Sequence, residues 1–362
     1  MLVVRRGRTG GRVLRNEGVD ACLDVVWPVE HGGQNRPSHA VACWRRGGIG
    51  VTDQVVHGVH DYDDDPRNDA ALVSVNGELK HRAEAVVSVF DSGFVLGDGV
   101  WEGLRVHGGH PVFLDQHLDR LYEGAKAIAL DIGLSRHDLR RAIYETLRAN
   151  GMTDGVHVRL MVTRGVKRTP YQDPRVTVGQ ATIVIVPDYK QPRRAILDTG
   201  IRLFTVHVRR PYPDVLDPKL NTHSKLNDIT ACIQAYSAGA DEALMLDPHG
   251  FVATCNSTHF FVVRGGDLWT SSGAFCLGGI TRGTVLRLSR DADIPTYERD
   301  FSLTDVYGAD EAFVTGTFAG IVPVREVDGR MIGDGDNRPV MHRLRALYQG
   351  AIERDVTEAA RR

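Results

Sequence analysis

Residues 91–121 read DSGFVLGDGVWEGLRVHGGHPVFLDQHLDRL, and three local signals follow one another along them. Gly97, Gly99 and Gly103 crowd together without the spacing of a dinucleotide loop. They lie between strand signals, with no helix opening at the glycines. The runs 101–107 and 111–114 flank Gly108-Gly109, which predicts a β-hairpin. Leu118, Leu121, Tyr122, Ala125, Ile128 and Ala129 then recur at helical spacing, so one face of a helix is apolar. On that pattern alone Arg120 is a surface charge. A hairpin running into a helix, with no βαβ alternation, points to an α+β protein.

The same reading extends outward. Runs at 71–75 and 79–89 flank Asn76-Gly77, a two-residue hairpin signal. Ser135 is placed to cap a helix reaching about residue 148. Residues 156–163, 181–186 and 201–208 are rich in β-branched side chains and read as strands. Gln191-Pro192-Arg193-Arg194 reads as a linker. Beyond it a helix carries Leu226, Ile229, Ile233 and Tyr236 on one face, short strands follow near 243–246 and 259–263, and another helix opens at Thr281. The expected organisation is an N-terminal extension over 1–66, a small α+β domain over 67–190 and a larger domain over 191–362. The extension is rich in Arg, Gly and His. His57, His60 and the acidic run 63–65 could in principle ligate a metal, but a solvated acidic tail accounts for them better and no metal is expected.

With 362 residues, 42% of them hydrophobic and 25% charged, the chain can bury full cores. A formal net charge of -2 offers no basic field for nucleic acid or an anionic membrane. No apolar run approaches the roughly 18 residues of a membrane helix. The basic first residues lack a following apolar segment, so a secretory signal is not supported. Five cysteines without C-x-x-C spacing argue against a disulfide framework or zinc site and fit a cytoplasmic protein.

Two turns are suited to a phosphate. Gly278-Gly279-Ile280-Thr281-Arg282-Gly283 leads into a helix, whose first amides are unpaired and whose dipole favours an anion. Thr315-Gly316-Thr317 is a second small, hydroxyl-bearing turn. Together with Asp91–Arg105 and His117-x-x-Arg120-Leu121, these turns form an ordered set that resembles the class IV (fold-type IV) aminotransferases, from about residue 72 to the C-terminus. That family includes branched-chain and D-amino-acid aminotransferases, (R)-amine transaminases and aminodeoxychorismate lyases.

The resemblance implies a two-domain D-amino-acid aminotransferase-like fold, a homodimer, and pyridoxal 5′-phosphate (PLP) as cofactor. It places the phosphate against Arg120, Ile280, Thr281 and Thr317, where an arginine suits a dianion. It puts Leu96, Trp101, Phe318 and Ala319 around the substrate. Arg159 alternates out of phase with its apolar neighbours and can point into the same site; a salt bridge at a surface or interface is the equal alternative. The implied reaction moves an amino group between an amino acid (branched-chain or D-amino-acid-like) or amine and a 2-oxo acid.

Two positions depart from the family pattern. The segment Asp217-Pro218-Lys219-Leu220-Asn221-Thr222-His223-Ser224-Lys225-Leu226-Asn227 has Asn221 where relatives carry the lysine that holds the cofactor and shuttles a proton. Lys225, about one helical turn further on, is the expected replacement. In Thr254-Cys255-Asn256, Cys255 stands at the place expected for the acid that faces the cofactor's ring nitrogen, with Asn256 and His223 as polar neighbours. Without an acid the nitrogen loses its proton more readily and the electron sink weakens. As a side chain Cys255 otherwise reads as a small buried hydrophobe. The competing reading is a family member repurposed for lyase-type or PLP-independent chemistry, or for binding a phosphorylated ligand.

Overall fold

The computed structural model describes residues 58–335 and 337–361; residues 1–57, with His57 and most of the expected extension, lie outside them. The first sheet has six strands: β1 Leu72–Val75, β2 Glu78–His81, β3 Gly99–His107, β4 His110–Pro111, β5 Val156–Thr163 and β6 Thr182–Tyr189. Their order is β2-β1-β6-β5-β3-β4, all antiparallel. Both expected hairpins are present. Asn76 and Gly77 at the first turn have φ of 52° and 84°, the left-handed values that a two-residue hairpin loop favours. The strand expected to continue to residue 89 ends at His81, because no neighbour pairs with it beyond that point; Val86, Val87 and Val89 are left exposed.

Three helices accompany this sheet: α1 Ser92–Leu96, α2 Leu114–Ala127 and α3 Arg136–Ala149. The Ser135 hydroxyl accepts from the Asp138 amide and caps α3, as its sequence predicts. The apolar faces of α2 and α3 pack on one side of the sheet. Along β5, Val156, Val158, Leu160 and Val162 are all 0% exposed and meet Leu118, Leu121, Leu139 and Ile143. Each such side chain contributes about 1.5–3 kcal/mol on burial. The alternate residue Arg159 points to the opposite face and is exposed.

The second sheet has nine strands: β7 Ile201–Thr205, β8 Glu242–Leu246, β9 Val252–Cys255, β10 His259–Arg264, β11 Asp267–Thr270, β12 Thr296–Glu298, β13 Glu311–Gly316, β14 Gly320–Val327 and β15 Arg330–Met331. Eight run in the order β12-β11-β10-β13-β14-β7-β8-β9, and β15 pairs with β14. It is mixed, with β7 parallel to both β14 and β8. Its helices are α4 Arg194–Thr199, α5 Pro213–Leu216, α6 Leu226–Ser237, α7 Ile280–Asp291, α8 Leu303–Tyr307 and α9 Pro339–Ala359. The class is α+β, as the sequence predicts. Among the described residues no helix is long and apolar enough to cross a membrane.

The apolar face of α6 turns outward. Leu226, Ile229 and Ile233 are 73%, 52% and 43% exposed, while the small Ala231 and Ala235 face the sheet. Periodicity identifies the face correctly but not what it meets.

The two sheets are tied together by residues 221–223, which run alongside β3. The Trp101 amide donates to the Asn221 carbonyl (3.0 Å), the Asn221 amide group donates to the Trp101 carbonyl (2.6 Å), and the His223 amide donates to the Gly99 carbonyl (3.0 Å). Where β5 ends, Gly165 has φ of +97° and a Cβ there would lie 2.1 Å from the Gln180 carbonyl oxygen. Gly165→Ala therefore forces both strain and a clash, and is expected to cost about 2 kcal/mol or more. Urea unfolding checks this; an unchanged midpoint would show that the turn relaxes freely.

Candidate active site

Glu102 lies on β3 with none of its surface exposed. Arg120, from α2, grips its carboxylate with two bonds, Nε to Oε1 at 2.8 Å and Nη2 to Oε2 at 2.6 Å. His117, one turn earlier on α2, completes the cluster with Nδ1 2.6 Å from Oε2. Burial alone would raise the Glu102 pKa, but the bonds and charges of Arg120 and His117 outweigh it and hold the carboxyl below its ordinary range. The cluster turns Arg120 from a flexible surface arginine into an oriented one. Its remaining Nη1 donates to the Gly278 carbonyl at 2.8 Å, which ties α2 to the turn before α7.

That turn opens α7 at Gly279 without any side-chain cap, and a Cβ at Gly278 would meet nothing within 4 Å. The first amides of α7 thus lack a side-chain cap, and Arg120 reaches the same turn, an arrangement suited to an anion. The Thr281 hydroxyl lies 3.4 Å from that of Tyr348 on α9. Thr281, Thr317, Phe318 and Ala319 line a single cavity of about 370 Å³ with Arg105 and Tyr348. Phe318 itself is only 4% exposed, so its ring serves mainly as packing.

A second group assembles on the exposed side of β3. The Arg159 guanidinium lies over the Trp101 ring at 3.7 Å, and the Lys225 amine is 5.6 Å from the same ring. The Trp101 indole is fixed by donating to the Thr222 carbonyl at 3.0 Å. Lys225 precedes α6, 3.9 Å from Asp228. Burial lowers its pKa, Arg210, Arg159 and Arg120 push the same way, and Asp228 opposes them. Leu96 is 38% exposed, next to Gly97, which approaches the Ser224 backbone.

Cys255 requires a correction. It stands opposite Leu244 and packs into the core with Leu244, Val252 and Phe260, so its thiol does not face the cleft. Burial drives its pKa well up. Thr254, opposite Met245, takes the other face of the strand, with its hydroxyl 3.4 Å from His259 Nδ1. His259 presses so closely on Gly279 that a Cβ there would come within 2.3 Å of Nε2. Burial and the charges of Arg282, Arg120 and Arg210 lower its pKa to about 3, so it is neutral. Asn256 is occupied in accepting from the Ala243 amide at 2.8 Å. Glu102, Thr254, His259 and Tyr348 were not singled out from the sequence; the one legible signal was a carboxylate among the alternate apolar residues Val100, Leu104 and Val106 of β3. Among the described residues no His, Cys, Asp and Glu side chains gather as a metal site.

The family description amino-transferase class IV matches residues 99–327. A branched-chain-amino-acid aminotransferase-like protein 2 from Arabidopsis thaliana is 40% identical over 284 residues, which cover 78% of this chain and 51% of that protein. A putative branched-chain-amino-acid aminotransferase of Methanocaldococcus jannaschii is 40% identical over 278 residues, 76% of this chain and 95% of that one. The branched-chain aminotransferase of the thermophilic archaeon Thermoproteus uzoniensis, solved with norvaline, superposes with a TM-score of 0.71 at 31% identity, covering 79% of this chain and 97% of that one. A further branched-chain amino acid aminotransferase, complexed with N-(5′-phosphopyridoxyl)-L-glutamate, superposes with a TM-score of 0.72 at 31% identity, over 78% of this chain and 94% of that one. The chain belongs to the class IV aminotransferase family, and its architecture is fold type IV. The match spans about half the length of the Arabidopsis relative.

The Glu102 cluster predicts an acid-sensitive site. A carboxyl whose pKa is depressed on folding adds stability above its ordinary value of 4.5, and this is lost as pH falls toward the lower folded value. Glu102→Gln should cost about 3 kcal/mol at neutral pH, by leaving Arg120 without its partner, and should flatten that acid limb. Chemical unfolding between about pH 3 and about pH 7 measures both; a variant with the parent's stability and acid limb would refute the coupling.

Proposed function

We propose that the protein is a PLP-dependent aminotransferase, moving an amino group between an amino acid of the branched-chain or D-amino-acid kind, or an amine, and a 2-oxo acid. The observation that carries this reading is the oriented Arg120 beside the uncapped start of α7. Arg120, the Ile280 and Thr281 amides, and the Thr281 and Thr317 hydroxyls offer a donor set that fits a phosphate dianion. At the other end, Asn221 has no amine and its amide group is committed to Trp101, so Lys225 is the lysine that fits.

Bound PLP would withdraw electrons from the α-carbon of the amine it carries and take up the amino group. The chain supplies the rest. With its pKa lowered by burial and by neighbouring cations, Lys225 holds a larger share of neutral amine, able to accept and return a proton at Nζ. Arg159 on the Trp101 face presents a cation to a substrate carboxylate. Neither Cys255, which stands at the place expected for an acid, nor Thr254 on β9 nor the neutral His259 on β10 is a carboxylate, so the protein contributes less to keeping the ring nitrogen protonated.

The absence of an amine at Asn221 and of a carboxylate at Cys255 favours one rival: a member of the family that uses the phosphate cup for lyase-type or PLP-independent chemistry, or for binding a phosphorylated ligand. Absorption spectra with added PLP, followed by borohydride reduction and peptide mapping, separate the two. The proposal expects a visible band and a fixed adduct on Lys225, with turnover falling about 10²-fold or more in Lys225→Ala. A colourless protein with no modified lysine would support the rival.

We also read the protein as a homodimer in the cytoplasm. The outward Leu226, Ile229 and Ile233 of α6, with Phe94 (72% exposed) and Val86 also in the chain's exposed apolar set, support a self-association surface. The free thiols Cys232, Cys255 and Cys276 suit a reducing compartment. Ile229→Asp should convert the dimer to a monomer in sedimentation analysis, and a parent protein that sediments as a monomer would overturn the assignment.

A further inference from the structure

Residues 58–65 precede the family match and have no part in the site described so far. His60 of this segment stacks on Phe318, with ring centroids 5.5 Å apart and planes inclined by 19°. Three more side chains converge on the same ring. His157 of β5 meets it edge-on at 5.5 Å, the Arg105 guanidinium of β3 lies 5.5 Å from its centroid, and the Lys190 amine just after β6 lies at 5.1 Å. A phenyl ring accepts cations at its face and imidazoles by stacking. Together these groups cover Phe318 almost completely.

The segment is held on both sides of His60. Val59 is 2% exposed in the core that includes Ile196 and Ile201. Arg193 pairs with Asp61 at 3.4 Å and with Asp63 at 2.9 Å, and the Lys190 amine sits 4.0 Å from the centre of the Tyr62 ring. His60 itself stays exposed, so its ring covers Phe318 from the solvent side. A neutral imidazole can stack beside Arg105 and Lys190, where an imidazolium would be repelled. Asp61 and Asp63 thus clamp the segment onto Arg193.

Phe318 lies between Thr317 and Ala319, which line the same cavity as Thr281. We infer that His60 is a positioning residue: by pinning Phe318 it sets the Thr317 hydroxyl and the Ala319 backbone at the cleft wall. The consequence for catalysis rests on the proposed aminotransferase reading, whereas the effect on the loop does not.

Hydrogen exchange and kinetics on the full chain test this with His60→Ala and His60→Phe. In His60→Ala, exchange at the Phe318 and Ala319 amides should rise on the order of tenfold, the size expected from losing one aromatic contact, while exchange in β5 and β13 stays at the parent rate. His60→Phe, which keeps a stacking ring, should restore protection. With an amino donor that the parent turns over, KM should rise in His60→Ala by a similar factor, with kcat within about twofold of the parent, and recover in His60→Phe. Unchanged loop exchange, a rise spread evenly over the whole chain, or a KM that ignores a loosened loop would each overturn the positioning role. If the parent turns over no donor, the aminotransferase reading fails, and the exchange data still decide whether His60 pins the loop.

Discussion

A carboxylate with no surface in water must be matched by charge and hydrogen bonds where it sits, and Glu102 is matched by Arg120 and His117. Taking the carboxylate and its partners out of water costs several kcal/mol. The bidentate arginine and the histidine offset that cost only in one geometry. The requirement fixes α2 against β3, since both ligands of Glu102 lie one turn apart on that helix. It also fixes Arg120, whose remaining donor reaches the Gly278 carbonyl and aligns the start of α7. An isolated arginine would lose much of its affinity for an anion to side-chain disorder; held by Glu102, it is already oriented.

The other junction is backbone-mediated. Asn221, Thr222 and His223 lie along β3 and exchange hydrogen bonds with Gly99, Val100 and Trp101. The Asn221 amide is spent on linking the two sheets. The amine that remains, Lys225, is next to the rings and charges of Trp101, Arg159 and Arg210.

The two apolar surfaces that periodicity revealed met different fates. The face of α2 entered the core because β3 and β5 lie beneath it. The face of α6 stayed outside because Ala231 and Ala235, on the opposite side, allow the helix to sit close on β7 and β8. Hydrophobic spacing reports that a surface needs covering, and carries no information on whether its own chain or another covers it.

The sequence by itself determined the α+β class, both early hairpins, the helices α2, α3, α6 and α7, the α3 cap and the glycine turn into α7. These depend on period, turn chemistry and residues within a few positions of one another. The ordered motifs also carried the family. Only the tertiary structure decided that Glu102 orients Arg120, that Asn221 is spent on Trp101 at a separation of 120 residues, that Cys255 faces the core while Thr254 faces His259, and that His60 covers Phe318. Each of these depends on which residue a distant strand or helix brings into contact. A one-residue change of register on a strand exchanges the core side for the cleft side, and local sequence does not specify it across such distances.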